Sequence, residues 1–553
     1  MIRRLGAVLV TVGLVVATAG MAAAVEPPAV PPGPPPADPA PGPDRDQVMH
    51  QIAACTATGV LPGSDLRELP AALALLDMPT AWKHSTGLGV VVAVIDTGVA
   101  PQPRLPHLVA GGDYVMGAYG DGLADCDGHG TMIAALIGAS PSGAPLRPEP
   151  EGAPIAPPPP GAPPPEPIPP PPPPPTFTMT QIITAPPPPP PPPAVTIIQA
   201  PPPPPPPPEP PPPPPCPWCP PPDAPAWHLT GPGVPLGPPP GGGPDGLIGI
   251  APDATLLAIR QTAQTFGPKD PEINANPEDV RRAGDINTLA RAIVHAANLG
   301  AQVINISVTS CLRADLPQDQ SLLAAAVRYA AVDKDAVIVT AAGNADAQGC
   351  NKQNPPTGGW DSVTTIATPA WFSDYVLTVS ATDNAGVPAQ GDGASLHGPW
   401  VGLAAPGADM VGLSMDGRVI NGAVDQDNLH PLAGSSFAAA LVGGIAALVR
   451  AKYPTLTAHQ VINRLEATAR RPADGRDNVV GYGVVDPVAA LTWDVAPGDA
   501  FAPGVVRAPL TLPPSPPPPN PWPRRAAWII TACASLVLIV VRTAVKRRRS
   551  QGE

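Results

Sequence analysis

Proline sets the first limit on this chain: 95 of its 553 residues are proline, and most fall in two tracts that cannot build a core. Proline has no backbone N–H to donate and its ring fixes φ, so runs such as "PPPPPPPPEPPPPPPCPWCPPP" favour the extended polyproline II helix and stay solvated. Residues 141–245 therefore read as a proline-rich, disordered insertion that belongs to no core, and residues 496–524, with "LPPSPPPPNPWP", as a semi-rigid spacer. What remains supports one large domain.

The two ends carry addresses rather than fold. Residues 1–24 combine Arg3 and Arg4, an apolar stretch and the small-residue pair Ala22 and Ala24, the pattern of a secretory signal peptide. Residues 25–65 follow as a proline-rich extension, too short for a folding-assisting prodomain and expected to stay attached. Near the other end an apolar run from Ala526 to Val541 predicts a single-pass helix over 525–545, once snorkelling of Arg542 is allowed for. Lys546 and Arg547 to Arg549 then place the tail, 546–553, in the cytoplasm and the bulk of the chain outside.

Between these ends, residues 66–495 alternate strand and helix signals around the insertion. The glycine-bounded run "VVVAVI" before Asp96 suggests a strand buried on both faces, and "ATLLAIR", "AQVINISV", "AVIVTAAG" and "YVLTVSAT" alternate with helices expected over 286–300 and 321–335. Right-handed crossovers between such strands give an α/β fold, a doubly wound parallel sheet with helices on both faces, whose ligands bind at the carboxyl ends of the strands.

Three residue types gather where such a site forms. Asp96 ends a strand, His129 in "DCDGHGT" precedes an apolar helix, and Ser435 and Ser436 in "GSSFAAA" precede another. Acyl transfer by serine needs a base beside the hydroxyl and an acid that orients the base, and these three types supply that set. Taken singly, each has a plain structural use: an Asp at a strand end is a common turn residue, and a Ser before a helix is a common cap.

Together with "VINIS", "VTAAGNAD" and "LAAPG", these motifs resemble in order and context the subtilisin-like serine proteases, over residues 66–492 apart from the insertion. Asp, His, Ser is also the order in which subtilisin carries its triad. The resemblance implies that Asp96 orients the imidazole, His129 is the general base and then acid, and Ser436 is the nucleophile. Ser436 is preferred to Ser435 because Gly434, Ser436 and Ala438 fit the pattern Gly-x-Ser-x-Ala. Asn344 matches the oxyanion-hole amide, acting with the backbone N–H of Ser436. Ser307, Val308 and Thr309 would line the edge on which substrate pairs as an added strand, with Ala341, Ala342 and Gly343 on the pocket wall. Thr309 replaces a glycine common there, which predicts a narrower pocket and a preference for small side chains.

Three departures refine the resemblance: the attached extension, the long insertion and the C-terminal anchor. They are similar to the mycosins, membrane-anchored subtilisin-like proteases of mycobacterial type VII (ESX) secretion systems. That family implies cleavage of secreted proteins as substrates and association with the membrane core components of the secretion system, with the alternative that the chain chiefly stabilises that core. Ala440 stands where the family has proline, which predicts a slightly altered helix start. Six exported cysteines allow fifteen pairings. Cys55 with Cys126 would tie the extension beside the active site, closing a loop worth about 4 kcal/mol in the chain-entropy model. Cys311 with Cys350 is a candidate second pair, and Cys216 with Cys219 a local one inside the proline tract.

The net charge of −13 and the lack of a basic face outside the tail argue against nucleic acid, while the anchor argues for a lipid bilayer as partner. No cluster of carboxylates suggests a metal site, and no cofactor is expected.

Overall fold

The computed structural model describes residues 25–28, 30, 37–43, 48–142, 244–269, 283–316, 318–345, 349–425, 428–473, 475–503, 505 and 534–544. The expected signal peptide, most of the insertion with Cys216 and Cys219, most of the spacer and the basic tail lie outside them.

Residues up to Ala502 form one compact unit. Its centre is a seven-stranded sheet in the order Val401–Pro406, Val376–Thr382, Val337–Ala341, Val303–Ile306, Val91–Asp96, Thr255–Arg260, Leu108–Asp113. Every neighbouring pair is parallel. Parallel strands covered on both faces need apolar side chains on both, which is why these segments read as valine- and alanine-rich runs without alternation. One face packs on the helices His129–Gly138 and Ser435–Lys452, the other on Ile286–Asn298 and Ser321–Arg328. Helix Ile286–Asn298 starts on a capping box in which the Asp285 carboxylate accepts from the Thr288 N–H at 2.7 Å. The helix expected over 321–335 ends at Arg328 and continues as a π-type turn, Tyr329–Asp333.

Helix Ser435–Lys452 is long and apolar enough to cross a membrane, but 89% of it is buried, which makes it the central helix of the core. It runs unbroken through Ala440, which is fully buried.

The ends of the insertion meet. Arg104 donates from Nε to the Ser140 carbonyl at 2.5 Å, from Nη1 to the Asp245 carboxylate at 2.8 Å and from Nη2 to the Leu247 carbonyl at 2.6 Å. The Asp245 N–H donates to Ser142 Oγ at 2.9 Å. One side chain thus closes both ends of the proline segment at the surface, so its length need not disturb the sheet.

The extension lies on the unit in short pieces. The Asp38 carboxylate accepts from Asn298 at 2.8 Å and stands 3.0 Å from His295 Nδ1, and the Gly42 carbonyl accepts from Arg291 at 2.7 Å. Met49–Gln51 pairs antiparallel with Phe266–Pro268, and Thr58–Gly59 adds to the hairpin Gly422–Asp425 and Asn428–Pro431. At the far end the unit runs past residue 495, where the linker was expected to begin, because Thr457 donates to the Ala500 carbonyl at 2.7 Å. In the second unit, Pro503–Glu553, the described helix is Ala534–Ala544, apolar, with Leu536 to Val541 all more than half exposed.

Candidate active site

Strand Val91–Asp96, inside the sheet, delivers Asp96 to its carboxyl edge, fully buried. The Asp96 Oδ1 accepts from the Thr97 N–H at 2.7 Å and from His129 Nδ1 at 2.7 Å. His129 reaches it because the helix it opens sits hard against the strand end: a Cβ on Gly130 would fall 2.0 Å from the Gly98 carbonyl oxygen. Glycine is the residue that permits this approach.

The loop before His129 is held by two carboxylates, Asp125 and Asp127, to which the sequence motifs assign no role. Asp125 accepts from Thr97 Oγ1 at 2.9 Å and from the Gly128 N–H at 2.7 Å. Its other oxygen accepts from the Thr131 N–H at 2.9 Å and Thr131 Oγ1 at 2.6 Å. It thereby caps the histidine helix and ties it to the strand end beside Asp96. Burial pushes its carboxyl up to about 6 against these hydrogen bonds. Asp127 accepts from the N–H groups of Gln264 and Thr265 at 3.0 and 3.1 Å, and burial raises it as well. Both were visible in "DCDGHG"; only the missing partners, far away in sequence, hid what they do.

His129 Nε2 lies 2.9 Å from Ser436 Oγ, and the Phe437 ring packs 5.6 Å from the imidazole. The imidazole side chain is 29% exposed. Burial, the largest single influence, works to keep the ring neutral, but the Asp96 carboxylate, through its charge and its hydrogen bond, together with Asp125 and Asp127 outweighs it, so its pKa stands above the ordinary imidazole value of about 6.5.

Ser435 and Ser436 divide the work of the serine pair. The Ser435 N–H and Oγ both donate to Asn344 Oδ1, at 2.9 and 2.8 Å. With its oxygen engaged, the Asn344 amide has Nδ2 left to donate. A Cβ on Gly434 would stand 3.1 Å from Asn344 Nδ2 and 3.3 Å from Ser436 Oγ, so glycine keeps open the space between them. As the second residue of its helix, Ser436 has an N–H with no helical partner, aligned with the positive end of the helix dipole. An amide and a helical N–H beside one small space are the donors that an anionic oxygen requires.

The expected pocket is more varied. Ser307 Oγ is tied to Asn305 at 2.8 Å and to the Ser436 carbonyl at 3.3 Å. Val308 and Thr309 are half-buried beyond it. Ala341 and Ala342 point into the interior, so what they offer a substrate is backbone. Thr309 Oγ1 donates to the Ala341 carbonyl at 3.3 Å, bridging the two walls. Its methyl lies 3.5 Å from where a Cβ on Gly343 would be, and the sulfurs of Cys311 and Cys350 lie at 3.6 and 3.7 Å. Cys311 and Cys350 are disulfide-bonded, as are Cys55 and Cys126.

Comparison with known proteins places this geometry in a family. The Subtilase family model (Peptidase S8) matches residues 238–483, a span that starts at the end of the insertion and so includes Asn344 and Ser436 but not Asp96 or His129. Mycosin-5 of Mycobacterium tuberculosis is 50% identical, over 91% of this chain and 89% of its own length. The crystal structure of MycP1 from Mycobacterium smegmatis superposes with a TM-score of 0.64 at 37% identity, covering 88% of this chain and 99% of that one. A chain in the structure of an intact ESX-5 inner membrane complex gives a TM-score of 0.64 at 42% identity, covering 94% and 100%. With half its residues shared over nine-tenths of its length, the chain belongs to the mycosins, which are subtilase serine endopeptidases.

Proposed function

We propose that the chain is an extracytoplasmic, membrane-anchored endopeptidase that cleaves secreted proteins at the membrane core of a type VII secretion system, with Ser436 as nucleophile. The observation that carries the reading is the unbroken chain of hydrogen bonds from Asp96 through His129 to Ser436, at 2.7 and 2.9 Å. Ser436 Oγ attacks the scissile carbonyl while His129 Nε2 takes its proton, and Asp96 stabilises the imidazolium. The tetrahedral oxyanion falls between Asn344 Nδ2 and the Ser436 N–H. His129 then returns the proton to the leaving amine, and water repeats the sequence on the acyl-enzyme.

Sequence patterns and a relative support this setting. The signal-peptide pattern of residues 1–24, the apolar run Ala526 to Val541 read as a single-pass anchor in the lipid bilayer, and the basic residues of 546–553 favour a catalytic unit outside the cytoplasm, and a similar chain stands in the structure of an ESX-5 inner membrane complex. A purely structural role is not favoured, because a scaffold has no need of an amide held by Ser435 that borders the same small space as Ser436 Oγ. In cells carrying Ser436→Ala, exported proteins that this chain processes should accumulate uncleaved. An unchanged set of termini among the secreted proteins would contradict a processing role.

Thr309 is assigned the narrowing of the pocket. A peptide series varied from alanine to phenylalanine at the acyl-side residue should be cut fastest at alanine, with Thr309→Gly raising the rate for larger residues. Preference for phenylalanine in the natural chain would overturn that role.

A further inference from the structure

Five consecutive residues of the extension touch both halves of the site. Cys55 is disulfide-bonded to Cys126, and the Thr56 N–H donates to the Cys126 carbonyl at 2.9 Å. Cys126 sits between Asp125 and Asp127, three residues before His129. One residue on, the Ala57 carbonyl accepts from the Val424 N–H at 2.8 Å, and Thr58–Gly59 pairs antiparallel with Gly422 and Ala423. That strand is half of the hairpin that ends at Pro431 and runs through Leu432 into Gly434 and the serine helix. A parallel route reinforces the first contact: the Ile52 N–H donates to the Thr265 carbonyl at 2.8 Å, and Thr265 in turn donates to Asp127.

We infer that Cys55 to Gly59 form a positioning bridge, setting the approach of His129 Nε2 to Ser436 Oγ by holding the histidine loop and the serine hairpin at fixed separation. The two held segments are connections, outside the central sheet, while Asp96 is fixed by the sheet itself. Loosening the bridge therefore moves the base relative to the hydroxyl and leaves the acid in place. The link to the histidine loop is a disulfide, so the alignment depends on oxidation, a condition that export to an oxidising compartment supplies. Gly343, with the Thr309 methyl beside it, lies against the other disulfide, Cys311 to Cys350, and makes no contact with Cys55 to Gly59 among those described. This inference rests on the roles proposed for His129 and Ser436.

The test uses the full-length chain in detergent, at a temperature well below its melting transition, with kcat and KM for a peptide substrate and the rate of fluorophosphonate labelling per folded molecule. Cys55→Ser should lower kcat and the labelling rate by about 10–100-fold, the cost of a displacement on the order of 1 Å between reacting groups, with KM held within about twofold. Val424→Pro removes the N–H that meets Ala57 at the other end of the bridge without touching the disulfide, and should act in the same direction. Should Cys55→Ser fail to fold, Val424→Pro, which leaves both disulfides intact, decides the matter. Folded variants with unchanged kcat, or with the whole effect in KM, would overturn the bridge while leaving Ser436 as nucleophile. A natural chain that does not label at Ser436 would bring down both.

Discussion

Ser436→Ala is expected to lower kcat by about a millionfold, the size of loss that follows removal of the triad serine from a subtilisin, while Ser435→Ala should cost about tenfold or less. The contrast comes from what the two hydroxyls touch. Ser436 Oγ faces His129 Nε2, and without it no acyl-enzyme forms. Ser435 Oγ only helps hold Asn344, and the Ser435 N–H still anchors the same amide oxygen after the hydroxyl is gone. Residual turnover in Ser436→Ala would come from the oxyanion donors and substrate binding. Steady-state rates on one peptide substrate check the ranking; the reverse order would make Ser435 the nucleophile.

Asp96→Asn should lower kcat about 10⁴-fold and also move the pH profile. A single oxygen of Asp96 accepts from both Thr97 and His129, so an asparagine can keep both hydrogen bonds through its carbonyl and lose chiefly the charge. That charge is what holds the His129 pKa above the ordinary range against burial. The base works only when neutral, so activity in the natural chain falls as the pH drops through that raised value. Without the carboxylate, burial dominates and the acid limb of kcat/KM should move to lower pH. A profile of the variant with its acid limb unmoved would mean that Asp96 does not set the titration of the base.

The residues to which the chemistry is assigned here as a proposal were legible because each sits in an unbroken local motif: "VAVID" ends a buried strand, and "GHGT" and "GSSFAAA" open apolar helices. A strand buried on both faces needs a continuous apolar run, and such runs announce themselves. The supports were not legible, for a physical reason. Thr58–Gly59 is two residues long, too short for any periodicity, and its partner Gly422 lies more than three hundred residues away. Leu108–Asp113 carries two glycines and forms an exposed edge, so its composition reads as loop. Asp125 and Asp127 were in plain view, but their meaning depends on Thr97, Thr131 and Thr265 closing around them. Membrane-length apolarity was itself ambiguous: helix Ser435–Lys452 has it and is core.

The extension gains most from the structure. Read from sequence it is a proline-rich extension that the family resemblance wraps on the catalytic domain and that a disulfide would tether, with no contact residues assigned beyond the cysteines. In the folded chain its residues 49–59 complete two small sheets and contact the loops that present His129 and Ser436. Removing a segment so used would strip the edge strands from both small sheets and the disulfide from the histidine loop.

The most direct test of the account is fluorophosphonate labelling of the full-length natural chain followed by mass-spectrometric location of the adduct. A single adduct on Ser436 is expected, formed faster as the pH rises through the His129 titration, because the reagent reacts only with a serine whose proton a neutral base can take. A folded chain that stays unlabelled, or carries its adduct on Ser435, would contradict it.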